Sequence, residues 1–234
     1  MTTSAPGRLV ILSGPSCVGK SPLARALARF HPELNQRLQK LVLFNSRAPR
    51  SGEADGVDYH FRTRRQIEAM RSEERFAVLD VRGDAFFEGN PFVGRLLQTH
   101  PALARVRRLS VFVSPLSKEE ILFLKDPARN AALPELITDV MRRKLLRRTR
   151  RQKGELSLKD LENIEQRAGS AFRELQEACH FEWVIPNHDG EDSDNWDAFY
   201  YPLGDARKTL LAFVDLSEGR VPVNAEKWEA GLIV

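Results

Sequence analysis

The run Gly14-Pro15-Ser16-Cys17-Val18-Gly19-Lys20-Ser21 has the spacing G-x-x-x-x-G-K-[ST], with the apolar stretch "RLVILS" before it and "PLARALARF" at helical spacing after it. This combination constrains the fold more than any other feature, because the motif needs a strand that ends in a tight turn and a helix that begins on it. Glycines let backbone N–H groups converge on phosphate oxygens, and the positive end of the helix points at the same spot. Lys20 then has the reach to bridge the β- and γ-phosphates of a nucleoside triphosphate, and the Ser21 hydroxyl can join a Mg2+ shell. Pro22 suits the first helical turn, where a missing N–H costs nothing. Gly14 through Ser21 are therefore the expected triphosphate-binding residues, with Cys17 a small packing side chain among them.

Short apolar, branched runs recur at 8–14, 40–46, 75–81, 108–114 and 182–187. Continuous apolar runs of this length predict strands buried on both faces, as in a parallel sheet. Helix-like segments separate them, which predicts an α/β fold with a mostly parallel five-stranded sheet in three layers. Between Ser117 and Cys179 the apolar spacing is helical throughout, so residues 117–170 read as a helical lid with an insertion. Residues 190–234 read as an elaboration: an irregular acidic and aromatic loop, an amphipathic helix over "DARKTLLAFVDLS" and an ill-defined tail. At 234 residues and 42% hydrophobic composition, one core with elaborations is the expectation, a single domain over 1–234.

The net charge of +4 is local. "RRKLLRRTRRQK", Arg142 to Lys153, carries eight basic residues and no acid, and the other 28 basic residues face 32 acidic ones. A basic segment of this kind predicts a phosphate-bearing partner or a solvated helix face, not a surface built for nucleic acid. Cys17 and Cys179 have no metal or disulfide spacing, which fits a reducing compartment. The apolar run after Arg8 is too short for a signal sequence or a membrane span, so a cytoplasmic location is expected, with no membrane partner.

A second stretch, "NSRAPRSGEADGVDYHF" (45–61), gives the phosphate loop a companion. Together the two resemble the guanylate kinase family, whose hallmark is T-T-R-x-P-R-x-G-E-x-x-G-x-x-Y-x-F. Arg47, Pro49, Arg50, Gly52, Glu53, Gly56, Tyr59 and Phe61 all fall on that pattern. "LSVFVSPLSKEEI", "ENIEQRAGSAFREL" and "FEWVIPNHDGE" continue the likeness, which covers most of residues 8–190. The resemblance implies an acceptor-binding insertion at 45–75, in which Arg47, Arg50, Glu53 and Tyr59 hold a monophosphate. It implies Lys20, Arg47, Arg167 and a lid arginine, Arg148 from among Arg147, Arg148 and Arg151, as catalytic groups, and Asn187 beside the adenine of ATP. Independently of kinship, a phosphate monoester carries about two negative charges, and planar guanidinium forks suit its oxygens.

The pattern breaks where the family reads guanine. Leu43 stands where a serine or threonine is usual. One alignment makes "FAVLDV" the family's "L-[DE]-I-D" strand, with Asp80 as a Mg2+ partner and Arg82 in place of the second aspartate, facing the acceptor. The other matches "RFAVLDVRGDAFFEGN" to the guanine-side segment, with Phe86 and Phe87 for its tyrosines, and leaves a core strand missing. The resemblance implies an ATP- and Mg2+-dependent kinase of a small phosphorylated acceptor, GMP first. Another phosphorylated molecule such as a ribose bisphosphate, or a weakly catalytic binding module, are the alternatives.

Overall fold

The computed structural model describes residues 7–49, 53–57, 59–71, 84–129 and 131–233. Strand β1 (Arg8–Ser13) runs into the glycine loop and α1 (Lys20–Phe30) starts on its last residues. There follow α2 (Pro32–Arg37), β2 (Leu38–Lys40), β3 (Phe44–Asn45), β4 (His60–Phe61), α3 (Arg64–Arg71), β5 (Asp84–Gly89) and α4 (Pro91–Thr99). The second half holds β6 (Arg108–Ser114), α5 (Lys118–Leu124), α6 (Leu133–Lys153), α7 (Leu158–Gln176), β7 (Trp183–Pro186) and α8 (Gly204–Ser217).

Five strands form one parallel sheet in the order β2-β5-β1-β6-β7. Leu9 to Leu12 of the central strand have no exposed surface, as a continuous apolar run in a doubly covered sheet requires. Helices α1 and α8 pack on each other and on the sheet, while α4 packs against β1, β5 and β6. Strand order reverses around β1, the place where parallel sheets open a crevice at the carboxyl ends of their strands. The glycine loop, Glu88, Ser114 and Asn187 all lie at that end.

One expected strand is corrected: of the run 40–46 only Lys40 belongs to the edge strand β2, and the chain leaves the sheet after Leu41, whose N–H still reaches Phe86 O at 2.7 Å. Phe44 and Asn45 pair instead with His60 and Phe61 in a separate parallel ribbon. The strand between β2 and β1 is formed by 84–89. Residues 75–81 lie outside the described residues, as do Asp80 and Arg82. Ala85, Phe86 and Phe87 are buried in the sheet, so the phenylalanines are core residues, and no core strand is missing. An Arg8–Asp84 ion pair at 2.9 Å holds the register of β1 and β5.

The helical reading of 117–179 holds: α6 and α7 pack side by side, joined at Gly154–Ser157. The tail is more ordered than expected. Val184 and Glu226 exchange backbone hydrogen bonds of 2.8 and 2.7 Å, so the tail covers the exposed edge of β7, and Trp228 and Leu232 are buried with it. Among the described residues, no helix is long and apolar enough to cross a membrane.

Candidate active site

The glycine loop is built for close approach. Gly14 (φ 148°) and Gly19 (φ 103°) occupy backbone regions that side chains rarely adopt. A Cβ on Gly14 would collide with the Val113 carbonyl, and one on Gly19 would come within 2.6 Å of Asn187 Nδ2. Cys17 also has positive φ (70°), the one such non-glycine among the described residues, so the loop stores some backbone strain at its tip. Burial pushes the Cys17 thiol up to about 12, with Glu191 and Asp192 adding to the rise and Arg148 and Lys144 opposing it, so it stays neutral. Lys20 is buried and donates to the carbonyls of Gly14 (2.8 Å) and Pro15 (2.7 Å); desolvation holds its pKa below the usual lysine range.

Next to Lys20, the Ser21 hydroxyl donates to Glu88 Oε1 at 2.9 Å, joining the start of α1 to the end of β5. Sequence reasoning missed Glu88. It also missed Glu174, buried on α7, which accepts from Ser170 Oγ at 2.9 Å and from the Ser16 N–H; desolvation raises its pKa. Arg167, Ser170 and Glu174 stand at i, i+3 and i+7, one face of α7, a spacing that could have drawn attention to the glutamate.

A cavity of about 220 Å³ opens from Ser21 and Glu88 and is lined further by Lys40, Leu41, Leu43, Phe87 and Tyr59. The second loop therefore reaches the phosphate loop across this space. Within it, Arg47 grips Glu53 through two 2.6 Å hydrogen bonds and lies over the rings of Tyr59 and Phe61 at 5.3 and 5.5 Å. The carboxylate thus fixes the plane of the guanidinium. Arg50 lies outside the described residues.

Residues 6–87 match the family model described as "Guanylate kinase". The guanylate kinase of Rhodococcus jostii (strain RHA1) is 32% identical over 192 residues, covering 78% of this chain and 81% of that protein. The chain belongs to the guanylate kinase family. The guanylate kinase of Trichormus variabilis (strain ATCC 29413 / PCC 7937) is 33% identical over 135 residues, 49% of this chain and 63% of that protein. A crystal structure of guanylate kinase from Anaplasma phagocytophilum is similar at 17% identity and a TM-score of 0.49, over 92% of this chain and 87% of that one.

Glu88 stands near the carboxyl end of β5, and Asn90 directly follows the strand. Asn90 caps α4 by accepting from Phe92 N–H at 2.9 Å. Asn187, expected at the adenine, has no exposed surface and donates to Val18 O (2.7 Å) and Asp189 O (2.8 Å); it braces the glycine loop from behind.

The basic segment is partly ion-paired within the chain, while Arg143, Arg147, Arg150, Arg151 and Lys153 stay exposed. Its helix, α6, lies along the acidic loop 188–194 of the same chain. Lys144 Nζ donates to His188 O at 2.6 Å, Arg147 pairs with Asp192 at 2.7 Å, Arg148 with Glu191 at 2.8 Å and Arg151 with Asp194 at 3.0 Å. Of Arg147, Arg148 and Arg151, Arg148 is the one turned inward, 17% exposed against 60% for Arg147 and 47% for Arg151.

Proposed function

We propose that this guanylate kinase family member is an ATP-dependent kinase that moves the γ-phosphoryl group of ATP to a phosphate monoester, with GMP the first acceptor. The observation that carries this is the cavity lined by Ser21 and Glu88 beside the phosphate loop and by Tyr59 of the second loop. A space shared by the two loops can bring two phosphates together, and positioning is most of what phosphoryl transfer asks of a protein.

Each group has a role the geometry supports. The amides of Gly14 to Ser21 cradle the triphosphate, and Lys20 exchanges its two loop carbonyls for phosphate oxygens. Ser21 and Glu88 offer hard oxygens on the cavity wall that would hold Mg2+, which would supply charge neutralisation to the triphosphate. Among the described residues no group of three or more acidic, histidine or cysteine side chains could hold a metal, which suits an ion that takes one or two protein oxygens and the rest from phosphates and water. Arg47 and the Tyr59 hydroxyl hold the acceptor phosphate, with Arg50 as a further guanidinium on the strength of the motif. Arg148 and Arg167 of the lid helices neutralise the transferring group, and closure of α6 and α7 excludes water.

A second reading concerns the acceptor alone. Leu41, Leu43 and Phe87 make much of the cavity wall apolar, and among its described lining residues Glu88, already engaged by Ser21, is the only carboxylate. An apolar wall selects a base weakly. A phosphorylated sugar is therefore the alternative acceptor, with Arg82 as a candidate contact and Asp80 as a further metal-side carboxylate. ADP production with MgATP across nucleoside monophosphates and pentose phosphates separates the two: GMP-dependent turnover supports the first, turnover confined to a sugar phosphate the second. ATP binding with no turnover on any acceptor leaves a binding module.

A further inference from the structure

Residues 187–196 touch both the glycine loop and α6. The Glu191 N–H donates to Cys17 O at 3.1 Å, Asn187 Nδ2 to Val18 O, and the Trp196 ring closes over Gly19, whose Cβ would come within 3.0 Å of it. The Trp196 N–H donates to the carbonyls of Asp189 and Gly190, so the strap is folded on itself as well as on the loop. From this platform Glu191 takes one nitrogen of Arg148, Nη1, at 2.8 Å, in a pair where both side chains are less than a fifth exposed. Asp192, 5% exposed, fixes the neighbouring turn of α6 through Lys144 and Arg147. Arg148 Nε is buried with no hydrogen-bond partner among the described residues, so the guanidinium is held at one nitrogen and keeps an N–H unspent beside the glycine loop. Its charge acts on Cys17, at the tip of that loop.

We propose that Glu191 is a positioning residue of the ATP site: it holds Arg148 against the glycine loop so that the remaining guanidinium N–H groups meet the triphosphate already oriented. The proposal rests on the kinase reading above and goes beyond it, because neither the phosphate-loop motif nor the acceptor motif contains this carboxylate. A guanidinium already anchored at one nitrogen loses less freedom when phosphate arrives than a free arginine does. Charge alone argues the opposite: a carboxylate beside a triphosphate repels it, and its neutralisation should tighten binding. The two accounts differ in sign.

Calorimetric titration of the intact protein with MgATP, without acceptor, reads that sign. We expect E191Q to weaken MgATP by roughly fivefold or more, the scale of a misplaced charged contact. E191D recovers most of the loss, because the anion is kept, and R148A/E191Q binds no more weakly than R148A, because Glu191 acts through Arg148. Unchanged or tighter binding by E191Q overturns the proposal, as do losses in the double variant that simply add. Should E191Q fail to fold by thermal melt, E191A, R148A and R148A/E191A carry the same comparison, additive losses again overturning it. A wild-type protein that binds MgATP without phosphorylating GMP overturns the acceptor assignment and leaves these titrations decisive for Glu191. A wild-type protein that binds no MgATP overturns both.

Discussion

Ser21 Oγ lies 2.9 Å from Glu88 Oε1, so the hydroxyl that closes the phosphate-loop motif is hydrogen-bonded to the carboxylate at the end of the neighbouring strand. The pair sits where β5 and α1 converge, and it places two hard oxygens on the wall of the cavity that Tyr59 also lines. If this is the Mg2+ side of the site, Glu88→Gln keeps the hydrogen bond in altered form and loses the charge. Turnover should fall by about 100-fold, and the Mg2+ concentration for half-maximal rate should rise. A Mg2+ titration of the rate checks this; an unchanged profile would remove Glu88 from the metal side.

Glu53→Gln tests the acceptor loop. Arg47 would lose a charged, two-pronged partner and with it a fixed orientation. The KM for the acceptor should rise by about tenfold, with the KM for ATP little changed, since a misaligned guanidinium weakens phosphate capture more than chemistry elsewhere. Arg47→Lys should do as badly, a lysine having no planar fork.

Trp196→Ala should cost about 3 kcal/mol of stability, the usual scale for removing a buried aromatic. The ring is 6% exposed and its N–H is spent on two carbonyls, so its loss leaves both a cavity and unpaired acceptors. Urea unfolding measures the cost; a loss under 1 kcal/mol would mean that the strap is not packed on the glycine loop as described.

His188 gives stability a pH dependence. Its ring sits between Asp205 (2.5 Å) and Glu120 (2.9 Å), and although burial lowers its pKa, the hydrogen bonds and charges of these carboxylates raise it overall. A histidine raised in the folded state stabilises fully below its unfolded value, about 6.5, and loses that contribution as pH climbs through the folded value. Stability should therefore decline from near pH 6 toward pH 9. His188→Gln should flatten the slope, by no more than about 1 kcal/mol for a half-exposed, screened cluster. Glu120 and Asp205 work in the other direction: burial opposes ionisation, but their hydrogen bonds hold both below the usual range, so their share fades as pH falls through the acid region. Urea midpoints at pH 6, 7.5 and 9 for both proteins check the slope.

What the sequence revealed and what it hid follow from the range of the forces involved. Gly14 to Ser21 are legible because a local backbone path demands them, and the helical character of 117–179 because periodicity is local too. Strand β5 was missed because "FAVLDV" is the more branched, more apolar run. "DAFFEG" holds its sheet position through tertiary terms, the Arg8–Asp84 pair and burial of Phe86 and Phe87, that no window contains. Glu88 went unseen with it. The strap is a long-range effect: Arg148 and Glu191 are 43 residues apart, and only the fold turns two separately charged segments into one ion-paired contact.

The central claim is acceptor-dependent phosphoryl transfer at this site. Its most direct measurement is ADP formation from MgATP by the purified wild-type chain, with and without GMP, beside Lys20→Ala as the control that removes the phosphate-loop cation. The account predicts ADP formation that requires GMP, saturates with it, and falls by about 100-fold or more in Lys20→Ala. ADP formation no greater with GMP than without it, and no greater with any other nucleoside monophosphate or pentose phosphate, by a protein that is folded, would contradict it.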